Sequence, residues 1–168
     1  WILKTPVYLP ILDLVFAVYP DAWIVLTHRD PLKTIPSGLS TLAACRWQRS
    51  ETVDLERIRS GGPGIFDLMS HIRMRREKGE LPAQFVDLHF LDQMRDPVAA
   101  IRGAYQKIGR PFAAEHGDQI RDYLAHKPKG KFGKHKYGPE DWGYTKEEIR
   151  ERTRGYAEAY GVVLEEGD

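Results

Sequence analysis

The stretch "AWIVLTHRDPLKTIPS", Ala22–Ser37, joins an apolar run to an arginine, an Asp-Pro pair, and a second proline set directly before a serine. The run "AWIVLTH" lacks clean alternation, which is the pattern of a strand covered on both faces of a sheet. Asp30 and Pro31 form a helix-opening pair, yet Pro36 has no N–H and its ring clashes inside an established helix. Either the helix runs through Pro36 and is kinked there, or its regular part begins near Thr34 with Pro36 and Ser37 in the first turn. On the second reading the Ser37 hydroxyl lies among unpaired backbone N–H groups at a helix N-terminus, a natural anion site. Arg29 would stand at the carboxyl end of the strand, the edge at which open parallel sheets bind ligands. Its guanidinium can fork onto two oxyanion oxygens, which a lysine does not do with the same geometry. The alternative is an ordinary ion pair from Arg29 to Asp30 or to a sheet-edge carboxylate, with Ser37 a plain helical residue. Spacing alone leaves both open.

Upstream, "WILK" is short, apolar and β-favouring and stops before Pro6, so it reads as a buried strand. Leu9 to Val18 carries apolar residues at helical spacing and closes at "YPDA", predicting a helix of about three turns. Strand, helix and strand in so short a span predict a βαβ unit with a right-handed crossover. Downstream, a helical pattern runs from Thr34 to about Arg59, with Leu39, Leu42 and Ala43 inward and Arg46, Arg49 and Glu51 outward, until "SGGPG" at 60–64 breaks it. Ile65 to Lys78 is a further helix, and "QFVDLHF" at 84–90 is a third strand. Asp96 can N-cap a helix with Pro97 at its first position, running to about Ile108, and "GRPF" leads into another that ends near His126. "HKPKGKFGKHKYGPEDWG", with five lysines, is a loop. Thr145 and Glu148 make a capping box for a last helix to about Tyr160. No repeat and no linker is visible, so residues 1–168 read as one α/β domain with a parallel sheet.

Composition narrows the partners. Lys and Arg number 25 against 24 Asp and Glu, a net charge of +1, so no global field favours nucleic acid or an anionic membrane. Any anion specificity is therefore local. Cys45 is the one cysteine beside six scattered histidines, which excludes an internal disulfide, argues against a Cys/His zinc cluster, and fits a reducing cytoplasmic setting. "YLPILDLVFAVYP" contains Asp13 and two prolines and falls short of the roughly 20 apolar residues that span a bilayer. The chain opens on "WILKTP", with neither Met nor a signal-peptide pattern, and is expected to be the back portion of something longer.

"LKTP", "YPDAWIVLTHRDPLKTIPS", "VDLHFLDQMRDP" and "PKGKFGKHKY", in this order and before a terminal helix, together resemble the carboxyl-terminal part of a sulfotransferase. The family uses 3′-phosphoadenosine 5′-phosphosulfate, and the likeness is to its bacterial branch. It covers essentially the whole chain and implies a P-loop-NTPase-like three-layer sandwich, incomplete because the first strand and the Gly- and Ser/Thr-containing 5′-phosphosulfate loop are not among these residues. "SGGPG" does not replace that loop, since it follows a helix and has no Lys-Ser/Thr. The resemblance places the donor's 3′-phosphate on Arg29 and, eight residues on, Ser37, and puts Phe90 against the adenine. It also implies a late phosphate-gripping loop through Lys129, Gly130 and Lys131, with Pro128 standing where the family carries an arginine.

Lys4 matches a family lysine beside the reacting sulfate, and Tyr8 stands where a catalytic base is sought. An ordinary tyrosine, with a pKa near 10, is a weak base unless a cation such as Lys4 lowers it. His28 and His89, at strand ends, are the other candidates, each equally readable as a hydrogen-bonded structural histidine. The implied reaction moves a sulfuryl group to a hydroxyl or amine of a small-molecule, carbohydrate or lipid acceptor, without a metal. An uncovered sheet edge would also invite pairing with a second copy, hence a homo-oligomer. Two other classes remain as alternatives: a non-catalytic nucleotide-binding module, and a nucleic-acid binder using the lysine loop and "HIRMRREK". The near-zero net charge counts against the second.

Overall fold

In the computed structural model, residues 2–127 and 137–165 are described. After a 3₁₀ segment, Pro6–Ile11, the elements in chain order are α1 (Leu12–Val18), β1 (Ile24–His28), α2 (Pro31–Trp47), α3 (Leu55–Ser60), α4 (Gly64–Glu77), β2 (Phe85–His89), α5 (Phe90–Arg95), α6 (Pro97–Ile108), α7 (Ala114–His126) and, after a 3₁₀ turn at Glu140–Trp142, α8 (Lys146–Tyr160). The chain is mostly helical α/β, and among the described residues its sheet has two parallel strands. The residues group into two compact units. One comprises the described residues of Trp1–Ala22, Arg29–Ala83 and Tyr137–Asp168; the other, those of Trp23–His28 and Gln84–Lys136.

The first unit is a helical cluster built from α2, α4 and α8. Ile35, Leu39 and Ala43 recur at helical spacing and form the buried face of α2, whereas Leu42 is exposed, contrary to its expected inward position. Ile149, Tyr156 and Tyr160 form the matching stripe of α8, meeting Phe66 and Met69 of α4. Phe66 and Tyr156 pack edge to face with centroids 4.9 Å apart, and the Tyr160 hydroxyl donates to the Met69 carbonyl at 2.9 Å. "SGGPG" serves this core: a Cβ on Gly62 would come within 3.3 Å of Leu39 and of the Arg59 carbonyl, so the missing side chain lets the turn lie on α2.

Local end signals decide the helix limits. The capping box at Thr145 is complete: the Thr145 hydroxyl accepts from the Glu148 N–H, and the Glu148 carboxylate accepts from the Thr145 N–H. Asp54 caps α3, so the helical run expected from Thr34 to Arg59 is two helices separated by a non-helical segment at residues 48–54. α2 begins at Pro31, not near Thr34, because Asp30 caps it and Pro31 occupies its first turn. Pro36 is therefore inside the helix, and Ser37 lies about 9 Å along the axis from Pro31 at 1.5 Å per residue.

In the second unit β1 and β2 run in register from Ile24 opposite Phe85 to His28 opposite His89. β1 alternates, with Leu26 and His28 buried and Val25 and Thr27 exposed; the expected two-sided cover is absent, since Val25 is 44% exposed. The third strand candidate is β2, one residue shorter at each end than "QFVDLHF", and Phe90 opens α5. Asp96 caps α6 through the Ala99 N–H at 2.9 Å, with Pro97 first in the helix. α7 is laid close to α6 at Gly117, where a Cβ would come 3.2 Å from Val98.

Ile2, Leu3 and Lys4 of "WILK" lie in no strand. Residues 2–5 carry no regular structure, and Ile2 is 94% exposed. A strand is a paired state, and among the described residues β1 pairs with β2, so an apolar β-favouring run with no neighbour to bond has no reason to extend. Among the described residues the βαβ unit expected over the first thirty is therefore not formed. Among the described residues no helix is long and apolar enough to cross a membrane.

Candidate functional site

The chain leaves β1 at His28, and the next two residues open a network of charges within the first unit. Asp30 is 1% exposed. Its carboxylate accepts from the Leu32 N–H at 2.9 Å, which fixes the start of α2, and its carbonyl accepts from the N–H groups of Lys33 and Thr34. Arg150, on α8, donates both terminal nitrogens to that carboxylate, Nη1 to Oδ1 at 2.5 Å and Nη2 to Oδ2 at 2.8 Å. The Glu165 N–H donates to Oδ2 at 2.6 Å. A buried carboxylate thus meets a forked guanidinium and two backbone donors, as an ion removed from water must.

Arg29 is held by the other end of the same residue. Its Nε donates to Glu165 Oε1 at 2.7 Å and its Nη2 to Oε2 at 2.9 Å. The guanidinium pKa is raised above its ordinary value, first by the hydrogen bond to Glu165, against a smaller opposing effect of partial burial. Glu165 reaches this place because α8 ends at Gly161 in the left-handed region, φ 59°, with the Val162 N–H turned back onto the Ala157 carbonyl at 2.8 Å. Val162 is buried, and the residues after it carry the chain to Asp30 and Arg29. Arg29 therefore sits in a bidentate oxyanion geometry whose occupant is a carboxylate of its own chain.

The other sequence-derived candidates are placed as follows. Ser37 is half-buried, and because α2 starts at Pro31 its hydroxyl is not among first-turn N–H groups, which removes the local argument for an anion there. Lys4 is exposed and Tyr8 half-buried in the 3₁₀ segment, with no hydrogen bond joining them among the described residues. Phe90 is half-buried at the first position of α5, in the second unit. Lys129, Gly130 and Lys131 lie outside the described residues.

At the carboxyl ends of both strands the second unit carries a polar cluster. His28, 1% exposed, meets Asp87 through Nε2 at 3.1 Å, and its ring lies 5.4 Å from that of His89. Asp87 was not singled out from sequence, although its place two residues before His89 on the same strand face is the signal that could have found it. Arg150 and Glu165 carried no such signal, being 120 and 135 residues from the aspartate they meet. Among the described residues no group of three His, Cys, Asp or Glu is placed to hold a metal ion.

The sequence profile described as "Sulfotransferase family" matches residues 1–114. The fold is similar to that of the sulfotransferase STF9 from Mycobacterium avium, with a TM-score of 0.74 at 24% identity. That alignment covers 99% of this chain and 43% of the other, so the chain spans less than half the length of the structure it matches. No curated protein matches the chain significantly.

Proposed function

Because the chain belongs to the sulfotransferase family, we propose that it supplies the nucleotide side of a site that moves a sulfuryl group from 3′-phosphoadenosine 5′-phosphosulfate to a hydroxyl or amine acceptor. The observation that carries this reading is the Arg29 fork, directly after a parallel strand and already closed on two carboxylate oxygens. A phosphate offers the same pair of oxygens with more charge. The family resemblance assigns Arg29, Ser37, Lys129, Gly130 and Lys131 to the 3′-phosphate and Phe90 to the adenine.

In the transfer step the acceptor oxygen or nitrogen forms a bond to sulfur as the bond from sulfur to the bridging phosphate oxygen breaks. Charge then grows on that oxygen, which leaves with adenosine 3′,5′-bisphosphate. Lys4 offsets the charge near the sulfate, and Tyr8 takes the proton from the acceptor. The reading places the protein in the cytoplasm, in a P-loop-type three-layer domain, with a carbohydrate, lipid or other small molecule as acceptor.

Thermal unfolding with adenosine 3′,5′-bisphosphate and with adenosine 5′-monophosphate tests the phosphate assignment. The first should raise the midpoint and the second should not, because only the first carries a 3′-phosphate. Equal shifts from both nucleotides would sink the assignment of Arg29 to the 3′-phosphate.

A further inference from the structure

The contact between Arg29 and Glu165 is a built one. Both guanidinium-to-carboxylate bonds are short, and the Glu165 side chain is 17% exposed. Its backbone N–H is tied to the buried Asp30, while Gly161 and the buried Val162 aim the segment at that point. Arg29 itself remains 33% exposed, so solvent reaches one side of the fork.

We propose that Glu165 is an internal stand-in for the anion. Its carboxylate fills the Arg29 fork and must turn away before a phosphate can be gripped there, so the segment after α8 sets the affinity of the site. This rests on Arg29 being a phosphate ligand, as argued above.

The charges and anchors around the fork explain why Glu165, and not Asp30, is the group that yields. The two guanidinium groups of Arg29 and Arg150 are balanced by the two carboxylates of Asp30 and Glu165. A phosphate entering with Glu165 in place would meet a carboxylate at close range, whereas with Glu165 turned out that repulsion is removed. Asp30 cannot move aside: it is buried, caps α2 and is forked by Arg150. The Glu165 side chain can rotate while its N–H stays on Asp30, so the exchange requires a rotamer change and no unfolding.

Glu165→Gln is the test, read in two ways on the purified chain. Phenylglyoxal modification, followed by mass spectrometry of the peptide containing Arg29, should be several-fold faster at Arg29 in the variant. Arg121, which is 60% exposed and paired with Asp118, serves as the unchanged reference. Adenosine 3′,5′-bisphosphate should bind the variant about fivefold more tightly, the factor for losing a competing ion pair at the upper end of the part-exposed range. Glu165→Ala, which also removes the amide's residual hydrogen bond, should bind at least as tightly as Glu165→Gln.

Equal binding by wild type and both variants would overturn the stand-in role while leaving the phosphate assignment intact. Weaker binding by the variants would overturn it too, making Glu165 a support for Arg29. No binding by any of the three would remove the phosphate assignment and this inference together.

Discussion

Replacing Asp30 by alanine removes the acceptor on which the whole charged network turns, and the structure sets the size of the loss. The cap on α2 is worth about 1 kcal/mol. Removing one partner of a fully buried ion pair costs about 3–5 kcal/mol. Arg150, however, is 28% exposed, and water can solvate part of its charge, so about 2 kcal/mol is the appropriate share. Leaving the Glu165 N–H without an acceptor adds about 1 kcal/mol.

The expected total for Asp30→Ala is therefore about 4 kcal/mol, or about 8–16 °C in the thermal midpoint for a chain of this size. Urea unfolding followed by circular dichroism measures it, with a thermal scan as the second readout. Asp30→Asn keeps one oxygen, which can still accept from the Leu32 N–H and Arg150 Nη1 as Oδ1 does, and should lose about half as much. Asp118→Ala is the control, because its pair with Arg121 is exposed at both ends and should change stability by less than about 0.5 kcal/mol. A loss below about 1 kcal/mol for Asp30→Ala would refute the reasoning, since it would mean that the buried carboxylate is not the anchor of α2, α8 and the segment after it.

Two further outcomes follow from separate features. Asp13 is forked by Arg75 at 2.7 and 3.0 Å, and its carboxyl pKa is lowered from 3.8, chiefly by that hydrogen bond. A depressed folded-state pKa means the contribution is present above 3.8 and lost as the pH falls through the lower folded value; the stability gap between wild type and Asp13→Asn should close over that interval and stay constant near neutrality. Gly161→Ala places a Cβ at φ 59° and should cost about 1–2 kcal/mol in urea unfolding, while the same change at Gly155, inside α8 with no atom within 4 Å of the added Cβ, should stabilise or be neutral.

How much of this was legible in the sequence depended on how local each feature is. Thr145 with Glu148, and Asp96 with Pro97, act over one helical turn, so their chemistry is complete in the written order of residues and the helices start where the caps put them. The start of α2 is equally local, but Pro36 is equally compatible with a start near Thr34. In the folded chain the cap from Asp30 and the fixed φ of Pro31 outweigh one absent helical hydrogen bond.

"WILK" shows the opposite case. Its composition favours a strand, but a strand exists only when a neighbour bonds it, and composition carries no information about neighbours. The Arg29 contact was half legible. An arginine at a strand end signals an anion, yet the carboxylate that answers it lies 136 residues away, brought there by the end of α8 at Gly161 and the packing of that helix.

Phosphorus NMR of adenosine 3′,5′-bisphosphate titrated with the chain resolves its two phosphates separately and reads directly which of them meets the Arg29 fork. If that fork receives the 3′-phosphate, the 3′ resonance shifts or broadens well beyond the 5′ resonance, and Arg29→Ala abolishes the difference. A perturbation confined to the 5′ resonance, or one that survives Arg29→Ala unchanged, would contradict that assignment.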